Sequence, residues 1–359
     1  MAWTDGLKRF MSPVSRKRRA ILKGGGEIEN LGDVMMRHVA EALISSLGFE
    51  IVHRVGHGEI SADVIQSADS IDAIFVLGSI QYSDAWPQPT LLERLERSIR
   101  FHRHFRNAKV VFLPATWGAF ERQHRNALAT LVNGATVLVR DRFSAECING
   151  LLDRQLADYC PDLAFLYPPA TPEAARPWLE RSLADPTKPL MGIIPSQRCV
   201  EPGITPLRRS EDYVDALARF RDYGVSRGFN VVGVSHMLNT DRDLVLMRDL
   251  GIPCFTASDA TTIRSLIASL SVCICSRYHG LISCLSHGTP VIALGWHHKY
   301  RNLMNDLELG ACHLSVADLP RDPVPLLDAL LKSTPAMRQT ITNNVVAAQQ
   351  RIRAWTDAR

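Results

Sequence analysis

The stretch Val272-Cys273-Ile274-Cys275-Ser276-Arg277-Tyr278-His279-Gly280-Leu281-Ile282 reads as a short apolar strand running into a helix, with a cation and an imidazole two residues apart at the junction. Open α/β sheets hold their ligands just beyond the carboxyl ends of their strands, so polar groups at such a junction mark a candidate site. A second junction follows. Gly288-Thr289-Pro290 returns the chain to the apolar run Val291-Ile292-Ala293-Leu294, which ends in Gly295-Trp296-His297-His298-Lys299. Two adjacent strand ends thus bring Arg277, His279 and Lys299 to one crevice. Arg and Lys there suit an anionic ligand, and His suits proton transfer.

The same alternation of apolar runs and amphipathic stretches extends upstream. Residues 190–194, 230–234 and 253–255 read as strands, with helices over about 211–227, 241–250, 260–270 and 279–287. The first half repeats the scheme, with strands over about 20–22, 49–52, 73–77, 110–113 and 136–139. Helices over about 32–46, 90–105 and 120–131, and another from residue 142, lie between and after them. Such β-α repetition predicts an α/β fold of doubly wound parallel sheets with helices on both faces. At roughly 150 residues per domain, a chain of 359 residues suggests two domains. Residues 167–189 hold Pro168, Pro169, Pro172, Pro177, Pro186 and Pro189, a density that breaks elements and suits a linker. The expected division is a first lobe over 1–185, a second over 186–333, and a tail over 334–359. The tail reads as one long helix, with Val345 and Ile352 on its apolar face, that runs back across the first lobe.

Hydrophobic residues make up 46% of the chain and charged residues 22%, which is ordinary for a soluble globular protein. A net charge of +4 is too weak to argue for nucleic acid. It suits an anionic substrate or an anionic membrane surface equally. The eight cysteines are scattered, and Cys273 and Cys275 alternate along one strand with no second pair at zinc-ligand spacing. Reduced thiols and a cytoplasmic protein are expected. The N-terminus lacks the apolar core of a signal peptide, and no run approaches the ~18 apolar residues of a membrane span. Arg16-Lys17-Arg18-Arg19 is either a solvated lead-in to the first strand or a contact for anionic lipid head groups.

Three further junctions carry candidate residues. Gly24-Gly25-Gly26 follows a strand and Asn30-Leu31-Gly32-Asp33 opens a helix. This is neither a dinucleotide fingerprint nor a P-loop. It reads as a tight turn capped by Asn30 or Asp33, or as a ligand site at a helix N-terminus. Val139-Arg140-Asp141-Arg142-Phe143-Ser144 offers Arg140 to a carboxylate or phosphate, or else a surface Arg140–Asp141 pair with Asp141 or Ser144 as a helix cap. Ile194-Pro195-Ser196-Gln197-Arg198 sets Arg198 at the first strand end of the second half, either toward the cleft or in a solvated loop. Of His297 and His298, one reads better as a surface histidine. No carboxylate or Cys completes a metal ligand set at known spacing.

Taken together, these residues resemble the polysaccharide pyruvyl transferase family over most of the chain. Asn30-Leu31-Gly32-Asp33 looks like its Asn-x-Gly-Asp helix start, and Val139 to Ser144 is similar to its Arg-Asp/Glu-x-x-Ser segment. Ser276 to Ile282, then Gly288-Thr289-Pro290, Lys299 and the Asn305 to Leu309 region, carry the likeness furthest. The family's Gln-Gly-x-Gly-Pro-like stretch is replaced here by Leu113-Pro114-Ala115-Thr116-Trp117-Gly118, and Trp296 stands where Tyr is common three before the Lys. The resemblance implies two Rossmann-like lobes facing a cleft, as in GT-B glycosyltransferases. It implies transfer of a pyruvyl group from phosphoenolpyruvate to a saccharide or lipid-linked glycan, with phosphoenolpyruvate as co-substrate and no cofactor or metal. Arg277 and Lys299, with Tyr278 between them, would hold phosphoenolpyruvate, and Arg140 or Arg198 would close on it from across the cleft. His279 would give a proton to the enol carbon or take one from a hydroxyl. Asn30 belongs to the acceptor side, and Asp33 would orient a hydroxyl or act as base. Two rivals share this scaffold: a glycosyltransferase using a nucleotide sugar, and a non-catalytic glycan or anion binder.

Overall fold

The computed structural model describes residues 16–25, 30–56, 60–78, 80, 82–83, 89–201, 210–237 and 242–357. The first half runs β1 (Arg18–Gly24), α1 (Leu31–Ser46), β2 (Phe49–Val55), α2 (Ala62–Gln66), β3 (Ala73–Leu77) and β4 (Tyr82–Ser83). It continues with α3 (Leu91–His104), β5 (Lys109–Ala115), β6 (Trp117–Gly118), α4 (Arg125–Leu131), β7 (Thr136–Val139), α5 (Arg142–Leu152) and β8 (Ala157–Tyr159). Beyond α6 (Arg176–Ser182), the second half runs β9 (Leu190–Ile194), α7 (Ser210–Ser226), β10 (Asn230–Val234), α8 (Arg242–Asp249), β11 (Cys254–Phe255) and α9 (Ala260–Ala268). Then come β12 (Val272–Cys275), α10 (Tyr278–Ser286), β13 (Val291–Gly295), α11 (His298–Asp306), β14 (His313–Ser315), α12 (Val324–Lys332) and α13 (Thr334–Asp357).

Among the described residues these strands form two six-stranded parallel sheets, ordered β2-β1-β3-β5-β7-β8 and β11-β10-β9-β12-β13-β14, with β4 and β6 pairing separately. The central strands β3, β9, β12 and β13 are buried along their whole length. That is why their sequences are continuous apolar runs rather than alternating ones: helices cover both faces. Because all strands of a sheet run the same way, their carboxyl ends share one edge. The first sheet therefore presents the starts of α1 and α5 there, and the second presents the starts of α10 and α11.

The halves are not separate bodies joined by a tether. Leu31 and Met35 of α1 belong to the same buried cluster as Leu281 and Ile282 of α10. Residues 167–189, expected as a linker, contain a 3-10 turn over Pro172–Ala175 and the helix α6. Pro172 and Pro177 sit in the first turns of these elements, where a missing N–H is no loss. From the second half α13 reaches back to the first, Gln349 Nε2 donating to the carbonyl of Phe165 at 2.8 Å. Arg338 in the same helix donates to the Gly288 and Ser271 carbonyls at 3.3 and 3.2 Å.

Arg16, Arg18 and Arg19 stand at the amino end of β1, away from the edge that carries Asn30. Arg16 donates to the Ser70 carbonyl at 2.8 Å and Arg18 lies over the Phe49 ring. Arg19 donates to Ser70 Oγ. No helix among the described residues is long and apolar enough to cross a membrane.

Candidate functional site

Gly24 and Gly25 have φ of 90° and 92°, so the turn after β1 takes a backbone shape that side chains disfavour. Asn30 then caps α1, its Oδ1 accepting from the Gly32 N–H at 3.0 Å. The glycine at position 32 has a different cause. A Cβ there would lie 1.9 Å from His279 Nδ1 and 2.2 Å from its Cγ. The imidazole rests directly on the first turn of α1, so the second lobe's histidine and the first lobe's Asn-Leu-Gly-Asp turn form one structure. The neighbouring Asp33 feels the charges of His279, Lys299 and Arg140, yet its burial prevails and raises its carboxyl above the ordinary value.

Arg140, one residue past β7, is fully buried. Its Nη1 donates to Asp162 Oδ2 at 2.8 Å, its Nε donates to Thr116 Oγ1 at 2.9 Å, and its guanidinium lies 4.0 Å from the centroid of the Tyr278 ring. Its Nη2 is buried with no hydrogen-bond partner among the described residues. Asp141, the next residue, accepts from the Ser144 backbone at 2.9 Å and caps α5. The alternative of a surface Arg140–Asp141 pair is thereby corrected: both are buried, and the partner of Arg140 is Asp162.

Asp162 follows β8 and opens a 3-10 turn, with Oδ1 accepting from the Ala164 N–H at 2.9 Å. Its Oδ2 also faces His279 Nε2 at 3.6 Å, beyond hydrogen-bond length, and that ring nitrogen is buried with no hydrogen-bond partner among the described residues. Burial alone would raise this carboxyl; His279 and Arg140 outweigh it and hold Asp162 below the usual carboxylate range. Two carboxyl groups therefore flank one imidazole and are pushed in opposite directions, an arrangement that separates acid from base roles.

In the second lobe, Arg277 caps no helix with its side chain; its Nε donates to Asp243 Oδ2 at 2.9 Å and to the Pro195 carbonyl at 3.3 Å. Asp243 also accepts from the Gln197 N–H at 2.9 Å, so one buried carboxylate ties Arg277 to the loop after β9. Lys299, in the first turn of α11, is buried with its Nζ 5.0 Å from the Trp296 ring, 5.3 Å from Tyr300 and 5.4 Å from Tyr278. Among the described residues no carboxylate lies within ion-pair distance of it. Burial, then Arg140, bring its ammonium down to about 7. His297 caps α11, accepting from the Lys299 N–H at 3.3 Å through Nδ1. Burial lowers it to about 2, so the neutral ring carries its proton on Nε2 and donates to Ser83 Oγ of the first lobe at 3.1 Å. His298 Nδ1 pairs with Asn302 at 3.1 Å, and Asn302 donates across to Asp141 Oδ1 at 3.1 Å.

Residues 30–298 match the family model described as polysaccharide pyruvyl transferase. The chain belongs to that family. Comparison with curated protein sequences finds no match. Among solved structures, the chain is similar to a Listeria monocytogenes protein described as a UDP-N-acetylglucosamine 2-epimerase, at TM-score 0.56 and 11% identity over 93% of this chain and 94% of that one. S. aureus MnaA with UDP gives 0.54 at 8% identity over 90% of each chain. The Neisseria meningitidis UDP-GlcNAc 2-epimerase bound to UDP-GlcNAc gives 0.53 at 8% over 91% and 94%. At these identities the likeness concerns the fold alone, which is of the two-lobed GT-B-like type.

In this family member Asn30, Asp33, Arg140, Tyr278, His279 and Lys299 converge where the two lobes meet. Arg277 lies at the same strand edge but is neutralised by Asp243. Arg198 pairs with Glu201 in its own loop at 2.7 Å. Two participants carried no sequence signal strong enough to be singled out. Asp162 stands behind a three-residue strand, and His236 behind β10 is fully buried, lowered to about 3 by burial and by the nearby His279 and Arg277. A polar residue just past a strand end is the cue both share. No group of three or more His, Cys, Asp or Glu side chains among the described residues is arranged to hold a metal ion.

Proposed function

We propose that this chain moves a pyruvyl group from phosphoenolpyruvate onto a pair of hydroxyls of a saccharide or lipid-linked glycan precursor, forming a ketal and releasing phosphate. The observation that carries the reading is Arg140 Nη2, a buried cationic donor left without a partner beside His279 and Lys299 in a member of the pyruvyl transferase family. A buried donor of this kind costs about 1–3 kcal/mol while unpaired, more when charged, and a ligand oxyanion removes that cost. Phosphoenolpyruvate brings two anionic groups, which Arg140 and Lys299 meet, with Arg277 at the rim.

In the proposed chemistry His279 protonates the methylene carbon, which becomes the methyl group. Positive character then develops at the adjacent carbon, and a sugar hydroxyl adds there. The carbon–oxygen bond to phosphate breaks, and the second hydroxyl closes the ring. The raised carboxyl of Asp33 suits it to accept the proton of the attacking hydroxyl. The two hydroxyl protons replace the one given to carbon and leave one with phosphate, so the balance closes. Asn30, at the head of α1, faces the acceptor.

The test is incubation of purified protein with phosphoenolpyruvate and a panel of glycan precursors, read by mass spectrometry for an added pyruvyl group and by phosphate release. His279→Ala should fold, still bind phosphoenolpyruvate and lose most turnover, on the order of 10²–10⁴-fold for a general acid. Turnover near wild type would remove His279 from its role. Thermal stabilisation by a nucleotide sugar but not by phosphoenolpyruvate would overturn the donor assignment in favour of sugar transfer.

A further inference from the structure

The carboxylate of Asp162 is shared between groups that come from different lobes. Its position follows from the backbone: the Cys160 N–H donates to the Val139 carbonyl at 2.8 Å, which sets the residues after β8 beside those after β7. Arg140 and Asp162 therefore emerge side by side. The turn-capping bond from Ala164 N–H to Oδ1 at 2.9 Å fixes the plane of the carboxylate. Oδ2 accepts from Arg140 Nη1 at 2.8 Å and faces the unpartnered His279 Nε2 at 3.6 Å. Arg140 is left with its Nη2 unpaired, and His279 is wedged between this carboxylate and Gly32.

We infer that Asp162 is a positioning residue: one oxygen hydrogen-bonds the Arg140 guanidinium of its own lobe and faces, at 3.6 Å, the His279 imidazole of the other, so that its charge keeps both aimed at one substrate. This rests on the pyruvyl-transfer reading for the identity of that substrate, but not for the geometry. A residue with this task differs from a structural ion pair in what its loss changes. Replacing Asp162 by Asn keeps the turn cap and the volume but removes the charge that orders both partners. Anion binding has no reason to weaken, since a competing carboxylate has gone. Turnover falls, because the proton donor loses its register with the anion that Arg140 still holds; displacement of about 1 Å is enough for a loss on the order of 10²-fold.

The experiment compares wild type, Asp162→Asn, His279→Ala and the double variant, with kcat measured by phosphate release and Kd for phosphoenolpyruvate by calorimetry. The expected result is a kcat about 100-fold lower in Asp162→Asn with Kd unchanged or tighter, and less than threefold further loss when the substitution is added to His279→Ala. Loss of affinity in step with kcat, full multiplication of the two losses, or a kcat within threefold of wild type overturns the inference. Asp162→Glu, which keeps the charge and displaces it, should show the same split and serves if the Asn variant does not fold. If wild type binds no phosphoenolpyruvate, the proposed function falls. The crystal structure of the substrate-free Asp162→Asn protein then decides: His279 or Arg140 displaced by about 1 Å supports the inference, and both unmoved refutes it.

Discussion

Replacing Gly32 by alanine puts the smallest side chain where the structure has no room. The added carbon would lie 1.9 Å from His279 Nδ1, 2.2 Å from Cγ and 2.6 Å from Cβ, while ordinary contact begins at 3.4 Å. The imidazole would have to retreat by about 1.5 Å, or the first turn of α1 would have to tilt away by as much. Neither move is absorbed by a flexible chain end, since the clash involves His279 down to its Cβ, and α10 is buried along almost its whole length. Retreat also breaks the relation to Asp162, now 3.6 Å from Nε2. Misplacing a reacting group by about 1 Å costs on the order of 10²-fold, so, with His279 in its proposed role, kcat for the proposed pyruvyl transfer should fall at least that far. The helix itself should tolerate the change, because alanine is favoured over glycine in helices by up to about 1 kcal/mol. The assay is phosphate release at saturating phosphoenolpyruvate, beside a circular dichroism melt to establish folding. A folded Gly32→Ala protein with activity within threefold of wild type would refute the claim that this turn seats the histidine.

Two other outcomes follow from burial and charge. Lys299 is held near 7, well below its ordinary 10.5, so it loses its charge as pH rises through that value. With phosphoenolpyruvate as the proposed donor, its affinity should therefore weaken between about pH 7 and 9, and Lys299→Arg, whose charge persists, should flatten the decline; calorimetric Kd values that stay level in wild type across this window count against it. Arg140→Met strands the buried Asp162 carboxylate without its cation. Urea unfolding should register a loss of about 3–5 kcal/mol, and a loss below about 1 kcal/mol would mean that water reaches Asp162.

The order of strands and helices was legible because central parallel strands are continuous apolar runs, and β9, β12 and β13 stand out as such. Strands β8 and β14 did not stand out: three residues carry no period. The prolines at 172 and 177 look like breakers in sequence, yet in first turns they begin elements instead. The site divides along the same physical line. Arg277, His279 and Lys299 share two neighbouring junctions, so local pattern brings them together. The pairing of His279 with Gly32 and Asp162 spans more than a hundred residues and depends on how two lobes meet, which no local periodicity encodes. Nor does sequence reveal which arginine is already satisfied. Arg277 and Arg140 look alike at strand ends, but only Arg140 keeps a buried donor unpaired.

The core that joins α1 to α10 bears on how such a protein changes its preferences. Leu31 and Met35 share one buried cluster with Leu281 and Ile282, and Gly32 is fitted to His279. A lobe borrowed from a relative would have to arrive with a matching face for its partner, down to the single missing carbon at position 32. Wholesale exchange of halves would thus break the seam unless both faces changed together.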